Sequence, residues 1–228
     1  MNKKDLASYL DLANHHPEAT PEEIKTLCQK VRQYGFHSAF VNPYYVALAK
    51  KLLSQEKVGT VVSFPLGQDH QDIKILAAIK ADKEGVDELD VSINVGLFKA
   101  GKKEPVLKEM KAIIEAAKNI RQDVLIKFII ETGLLTEKEI KEAAELVFRS
   151  GADFVKTNSG WGPRGASLKD VALIRQVVGD KLKIKVAGGI DTYQEAVDFI
   201  KAGADRIGTS HAVEIMEGLL KRRGKSNK

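Results

Sequence analysis

Residues 150–160 read SGADFVKTNSG, and this stretch contains the unit that is repeated through the chain. A glycine follows a helical segment, an apolar run follows the glycine, and polar residues follow the run. Glycine tolerates the left-handed conformation that ends many helices, and short runs rich in Val, Ile and Phe are typical of buried strands. The same order occurs at residues 34–41, 84–91 and 202–209, which predicts alternating helices and strands.

Helix starts are marked by capping boxes, in which a threonine precedes a glutamate by three residues. They occur at Thr20–Glu23, Thr136–Glu139 and Thr192–Glu195. Each box satisfies two backbone donors at a helix start, so each predicts where a helix begins. Cys28 falls on the apolar face of the helix that follows the first box, and we predict that it is a buried structural residue.

Eight apolar runs are predicted to be strands: residues 8–13, 37–41, 58–64, 86–91, 124–131, 152–157, 183–187 and 204–209. A helical segment follows each run. Eight such units in a chain close to the usual ~250 residues predict an α/β fold, the (β/α)8 TIM barrel, as a single domain over residues 1–220. The rival is an open doubly wound sheet, but residues 10–20 lack its glycine fingerprint. Residues 221–228, KRRGKSNK, are predicted to be a basic, disordered tail.

Composition excludes several classes of protein. The 228 residues include 43% hydrophobic residues, and the formal net charge is +5 from 36 basic and 31 acidic residues. The basic residues form no stripe with interleaved aromatics, so no nucleic-acid partner is predicted. No apolar run approaches the roughly 18 residues of a membrane span, and no signal peptide is recognised at the start. One cysteine excludes an intrachain disulfide. We therefore expect a cytoplasmic protein with no membrane partner.

Functional residues of such a barrel lie at the carboxyl ends of its strands. The polar residues expected there include Asp11 on the first strand, Asn42 after the second and Asp90 on the fourth. Lys156 and Lys185 occupy matching positions on the sixth and seventh strands, each within an apolar run.

Two partly desolvated ammonium groups that face each other lower the pKa of at least one of them. A neutral lysine amine is the nucleophile that forms a Schiff base with a carbonyl. Asp90 is placed to hold the second lysine or to relay a proton. The alternative, which spacing alone does not exclude, is a buried ion-pair network of Asp90, Lys156 and Lys185 that only stabilises the barrel.

Glycine-containing loops follow the seventh and eighth strands, where barrels commonly bind phosphate through backbone N–H groups. Gly188 and Gly189 form one loop, and Gly208 and Ser210 belong to the other. Arg164, in the loop after the sixth strand, is predicted to supply a cation.

Six motifs together resemble the deoxyribose-phosphate aldolases. They are VNPYYV (41–46), SFPLG (63–67), DELDVSINVG (87–96), IIETGLL (129–135), KTNSGWG (156–162) and KVAGGI (185–190). The resemblance extends from about Asp11 to Ser210. It implies a class I aldolase that uses a Schiff-base lysine and no metal or other cofactor. The implied reaction is the reversible cleavage of 2-deoxy-D-ribose 5-phosphate to acetaldehyde and D-glyceraldehyde 3-phosphate.

The resemblance also implies roles for individual residues. Lys156 would be the Schiff-base lysine, Lys185 the lysine that lowers its pKa, Asp90 the acid of the proton relay and Asp11 an aspartate near the substrate. Phosphate-binding positions would be matched by Gly188, Gly189, Gly208 and Ser210. The partner would be a small phosphorylated sugar or aldehyde, and the assembly a homodimer or homotetramer.

The chain departs from the family pattern at both ends of the expected substrate site. Ala13 replaces a threonine, and His15 and His16 follow it where an apolar and a polar residue are expected. Asp191 stands where the family often has arginine, and His211 replaces a serine. His16 is predicted to contact substrate, and no third ligand suggests a metal site for the two histidines. We therefore predict that the aldol chemistry is kept, and a related phosphorylated sugar is the alternative substrate to 2-deoxyribose 5-phosphate.

Two other functions stay open at this point. One is a different lysine-dependent lyase or transferase on the same scaffold, because a fold does not determine a function. The other is a non-catalytic barrel that binds sugar phosphates.

Overall fold

A computed structural model describes the backbone of residues 1–226 and the side chains of residues 1–221. All eight predicted strands are present, as β1 to β8: Leu10–Asn14, Ser38–Val41, Lys57–Val62, Glu88–Ser92, Leu125–Ile129, Phe154–Lys156, Lys183–Ala187 and Arg206–Thr209. Each strand pairs in parallel with the next, and β8 pairs with β1, so that the sheet closes. The predicted (β/α)8 barrel is confirmed.

Ten helices, α1 to α10, connect or flank the strands of the described backbone: Lys3–Tyr9, Pro21–Tyr34, Val46–Leu52, Gln71–Lys83, Val95–Lys99, Lys103–Lys118, Glu137–Ser150, Leu168–Val178, Tyr193–Lys201 and Ala212–Ser226. None of these helices combines the length and the hydropathy that a membrane span requires. The described backbone of residues 221–226, within the predicted tail, belongs to α10, and residues 227–228 lie outside the described residues. Disorder of the tail stays a prediction.

The predicted helix boundaries are confirmed at the capping boxes. Thr20, Thr136 and Thr192 each accept a hydrogen bond from the backbone N–H of the glutamate three residues later. At the other end, Gly35 and Gly151 end α2 and α7 in the left-handed conformation, with φ of 70° and 83°. The glycine before a strand therefore reverses the chain from the outer helices to the inner sheet.

The first strand is shorter than predicted, because residues 8 and 9 belong to helix α1. Asn2 and Asp5 form a further capping box that starts this helix, and Leu6 and Ala7 bury its inner face. The strand therefore begins at Leu10. As a result, Asp11 is the second residue of β1 and not its last, which places its side chain deeper in the barrel than expected.

Strand register determines which side chains meet inside the barrel. Asp90 is opposite Lys127, and Lys156 is opposite Lys185. Glu88 is two residues before Asp90 and shares its face, because side chains alternate between the two faces of a strand. Apolar side chains fill the space between the sheet and the helices. The charged residues of the barrel interior are therefore surrounded by an apolar shell.

Candidate active site

Seven charged side chains meet in the centre of the barrel, and we call them the barrel network: Asp11, Glu88, Asp90, Lys127, Lys156, Lys185 and Arg206. None of them is more than 7% exposed. Isolated buried charges are costly, so a network of this size persists only because its members are paired with each other.

Asp90 is the centre of the upper part of the network. Its Oδ2 atom lies 2.8 Å from the Nζ atom of Lys156 and 2.8 Å from that of Lys185. Its Oδ1 atom lies 3.0 Å from the Nζ atom of Lys127. The structure therefore brings together the three residues predicted to be catalytic, and it adds Lys127 to them.

The lower part of the network links the same groups to the bottom of the barrel. Lys127 Nζ lies 2.6 Å from Glu88, and the Arg206 guanidinium lies 3.0 Å from Asp11 and 3.4 Å from Glu88. Asp11 also lies 2.8 Å from Lys185. Glu88 and Arg206 were not predicted from the sequence. Strand alternation could have identified them, because each precedes an inward-facing residue by two positions.

The charges of the barrel network balance only when one cation is neutral, because three carboxylates face four cationic groups. Burial lowers the pKa of Lys156 to about 8, and the charges of Lys185 and Lys127 act in the same direction against that of Asp90. Burial alone would raise the pKa of Asp90, but the three lysines hold it below its usual range. Lys156 is therefore the group that gives up its proton first.

The two lysines differ in their contacts, although both line the cavity described below. Lys185 touches two carboxylates, those of Asp11 and Asp90, and its Nζ atom lies 3.4 Å from the centre of the Phe40 ring. Lys156 touches only the shared Asp90 carboxylate. The ammonium form of Lys185 is thus held from several sides, while Lys156 is held from one.

A cavity of about 390 Å³ opens above the lysines at the carboxyl end of the barrel. The upper parts of β1, β2, β6, β7 and β8 and the loops after β1, β6, β7 and β8 line it. Besides the two lysines, the lining residues are Ala13, His15, His16, Phe40, Ser159, Gly160, Trp161, Ala187, Gly188, Gly189, Ile190, Asp191, Gly208, Thr209, Ser210 and His211. Five predicted binding residues, His16 and the four of the glycine loops, are among them.

The two histidines after β1 have different surroundings. Burial and the charge of Lys156 lower the pKa of His15 to about 3, so its imidazole is neutral. Its ring lies 5.2 Å from that of Phe64, between centroids, and its buried Nδ1 atom has no hydrogen-bond partner. His16 is exposed and packs edge-on against Trp161, with the ring centroids 5.9 Å apart. His15 therefore belongs to the cavity wall and His16 to its rim.

Three predicted binding residues do not line this cavity. Arg164 turns away, because both carboxylate oxygens of Asp170 bind its guanidinium at 2.6 and 3.1 Å. Asn42 donates its amide to the backbone oxygen of His16 at 3.2 Å and so supports the β1 loop. Asp11 lies beneath Lys185, as its position within β1 requires. These three side chains lie outside the cavity lining, and their role in substrate binding stays a prediction.

One group of metal-ligand types occurs in the described residues near the bottom of the barrel. Asp11, His37 and Glu88 place one ligand atom each within 4.8 Å of one another. Their carboxylates, however, both face the Arg206 guanidinium, which lies 3.0 and 3.4 Å from them. A guanidinium and a metal ion compete for the same negative charge, so this group is better described as part of the ion-pair network.

The chain matches a known family of aldolases over nearly its whole length. The model of a family described as DeoC/LacD family aldolase matches residues 5–220. The chain belongs to this family of aldolases. The deoxyribose-phosphate aldolase of Thermococcus gammatolerans is 46% identical over 218 residues, which are 94% of this chain and 96% of that protein. The family resemblance inferred from the six motifs is confirmed.

Solved structures of aldolases share this fold over nearly the whole chain. An aldolase named QR15 superposes with a TM-score of 0.91 at 38% identity and covers 97% of this chain and 98% of that one. The deoxyribose phosphate aldolase from Aeropyrum pernix, described as a unique tetrameric structure, superposes with a TM-score of 0.90 at 31% identity, covering 97% and 93%. The chain is thus a lyase of the aldolase type on a TIM barrel.

Proposed function

We propose that this protein is a class I aldolase that reversibly cleaves 2-deoxy-D-ribose 5-phosphate to acetaldehyde and D-glyceraldehyde 3-phosphate, without a metal or other cofactor. One observation carries the proposal: the Lys156 amine lies in the cavity, shares a carboxylate oxygen with Lys185 and has a pKa lowered to about 8. About a tenth of such an amine is neutral at pH 7, several hundredfold more than for an ordinary lysine.

The first half of the proposed mechanism makes the Schiff base. Neutral Lys156 Nζ attacks the C1 aldehyde of the open-chain sugar, and the carbinolamine loses water to give a protonated imine. Asp90 and Lys185 exchange the required protons, because Asp90 Oδ2 is within hydrogen-bond distance of both amines. Lys127, at 3.0 Å from the other oxygen, holds the Asp90 carboxylate in place.

The second half breaks the carbon–carbon bond. The C2–C3 electron pair moves to the imine, which becomes an enamine, and the C3 hydroxyl gives up its proton as the second aldehyde forms. The enamine then takes a proton at C2, and water releases acetaldehyde and restores the lysine. Between the free amine and the protonated imine, the barrel network gains one unit of charge at Lys156, and the protons pass through Asp90 and Lys185.

We further propose that the upper cavity binds the rest of the sugar. His16, Gly188, Gly189, Gly208 and Ser210 support this assignment because they line the cavity. Arg164, Asn42 and Asp11 would act only through Asp170, the β1 loop and Lys185, respectively.

Borohydride trapping tests the proposal. The protein is incubated separately with acetaldehyde and with 2-deoxyribose 5-phosphate, reduced, digested and examined by peptide mass spectrometry. We expect a reduced two-carbon adduct on Lys156 from acetaldehyde and an adduct at the same lysine from the sugar. Absence of any adduct at Lys156 would contradict the Schiff-base mechanism and favour a non-catalytic barrel that binds sugar phosphates. The matched control is the exposed Lys201 on α9, which should stay unmodified.

A second candidate is the same lysine-dependent aldol reaction on a different phosphorylated sugar. It is favoured by the departures at Ala13, His15, Asp191 and His211, all of which line the cavity. An acetaldehyde adduct without an adduct from 2-deoxyribose 5-phosphate would support this candidate.

We propose that the protein assembles as a homodimer or homotetramer. Four large apolar side chains in the segments after β2 and β3 support an interface there: Tyr44, Leu66, Ile73 and Leu76 are between 50% and 87% exposed. Light scattering after size exclusion tests this, and a monomeric mass at micromolar concentration would contradict it.

We also propose a cytoplasmic location. The single cysteine, Cys28, is buried, which suits a reducing compartment. Fractionation of the source cells tests this proposal.

A further inference from the structure

The rim of the cavity after β7 and β8 carries no fixed positive charge among the described side chains. The lysines that line the cavity, Lys156 and Lys185, lie at its base and are engaged in ion pairs. Arg164 is bound by Asp170 and does not reach the lining. A barrel commonly holds a substrate phosphate at this rim, so the groups found there decide how strongly a phosphate is bound.

The titratable pair at this rim is Asp191 and His211. His211 Nδ1 lies 3.0 Å from an Asp191 carboxylate oxygen and 3.1 Å from Ser210 Oγ, and both side chains of the ion pair are about half exposed. With a neutral imidazole the pair carries one negative charge, and with a protonated imidazole it carries none. In neither state does it add positive charge to attract a phosphate dianion.

Helix α9 begins at this rim, but a carboxylate already occupies the backbone N–H groups just before it. The backbone N–H groups of Asp191 and Thr192 already donate to the Glu195 carboxylate, at 3.1 and 2.9 Å. The backbone amides of the two residues before α9 are therefore occupied, and a second carboxylate lies close to the start of the helix. Phosphate binding is left to backbone donors of the Gly188–Gly189 turn and of the loop at Gly208 and Ser210. A pair of charge-assisted hydrogen bonds corresponds to about a hundredfold in affinity.

We propose that this site discriminates only weakly in favour of a phosphate group and that Asp191 is the residue that sets this weak discrimination. The substrate class then includes unphosphorylated 2-deoxyaldoses, such as 2-deoxyribose, beside their 5-phosphates. This inference rests on the aldolase function proposed above and adds no chemical step to it, because the phosphate lies away from the carbons that react.

The test compares kcat/KM for 2-deoxyribose 5-phosphate and for 2-deoxyribose in the full chain. For the wild type we expect a ratio of about a hundredfold or less. Asp191→Asn should raise the ratio about tenfold, mainly through a lower KM for the phosphorylated sugar. A unit charge about 6 Å from a dianion in watery surroundings has an effect of this size. Asp191→Ser removes the same charge with a different side chain and should act in the same direction.

The matched control is Asp198→Asn, which removes one negative charge from α9, the helix that follows Asp191, outside the cavity lining. Its ratio should stay within twofold of the wild type. A wild-type ratio above about 10⁴, or a ratio that neither Asp191 variant raises above the control, would overturn the inference. Failure of the aldolase function itself is a different result: no acetaldehyde is released from either sugar, and borohydride traps nothing on Lys156.

Discussion

The base and the rim of the cavity differ in how their charged side chains are exposed to solvent. At the base, the barrel network buries every charge, and each carboxylate touches at least two cations. At the rim, the Asp191–His211 pair and the His16–Trp161 pair are exposed to solvent. Burial makes the electrostatics at the base strong, and solvent makes them weak at the rim.

This difference separates the chemistry from the choice of substrate. The pKa of Lys156 is lowered by its burial and by Lys185 and Lys127 on two other strands, so changes at the rim should leave it nearly unaltered. Changes at the base should alter the reaction of every substrate alike. The following predictions test that separation, beginning with the largest effect.

Lys156→Met should reduce kcat by on the order of 10⁴, because no amine remains to form the Schiff base. The same change should leave the free energy of unfolding within about 1 kcal/mol or raise it, since the remaining three carboxylates and three cations are balanced. Acetaldehyde release and urea unfolding measure the two effects. Lys201→Met, on the exposed surface of α9, serves as control, and a loss of activity there would question the assay.

Lys185→Met should lower activity at pH 7 by about a hundredfold. With Lys185 absent, a charged Lys156 balances the network, so its pKa moves up toward the ordinary lysine range. Activity should then recover as the pH is raised, whereas Lys156→Met stays inactive at every pH. The pH profile of borohydride trapping distinguishes the two, and a Lys185→Met profile identical to that of the wild type would contradict this role.

The rate of trapping by the wild type should rise about tenfold from pH 7 to pH 9. The direction follows from the mechanism: the neutral amine attacks, and Lys156 loses its proton as the pH passes through about 8. Acetaldehyde is the probe, since it has no phosphate of its own to titrate. A trapping rate that does not change over this range would contradict a Lys156 pKa near 8.

His15→Leu should raise KM for 2-deoxyribose 5-phosphate about fivefold, with a smaller effect on kcat. The neutral imidazole lines the cavity, and the loss of one neutral hydrogen bond to a sugar hydroxyl has about this size. Steady-state kinetics measure it, and His15→Gln, which keeps a donor and an acceptor, should restore part of the loss. An unchanged KM in the leucine variant would mean that His15 does not bind a hydroxyl group of the sugar.

Much of the fold could be predicted because its marks are local. The capping box at Thr136 and the glycine at 151 depend on a few consecutive residues, and both were found where they were expected. The start of β1 was misjudged because SYL (8–10) is compatible with a helix end as well as with a strand. Only the Asn2 capping box and the packing of Leu6 decide between them.

The candidate site was partly predictable for the same reason. Lys156, Lys185 and Asp90 stand out because a charged residue interrupts an apolar run at the end of a predicted strand. The direction of the Arg164 side chain was not predictable, because an arginine beside a glycine loop shows nothing of the acid that will bind it. Asp170 lies on the following helix, and its carboxylate accepts hydrogen bonds from both terminal guanidinium nitrogens of Arg164.

The sequence by itself determined the alternation of helices and strands, the eight-unit barrel and the two candidate amines, because these follow from periodicity, capping and residue chemistry. The tertiary structure alone decided how the charges are shared. The register of β4 and β5 brings Lys127 to Glu88 and Asp90, and only closure of the barrel brings Arg206 of β8 to Asp11 and Glu88. Electrostatic energy depends on distances through space, and the distances between separate strands cannot be deduced from the order of residues along the chain.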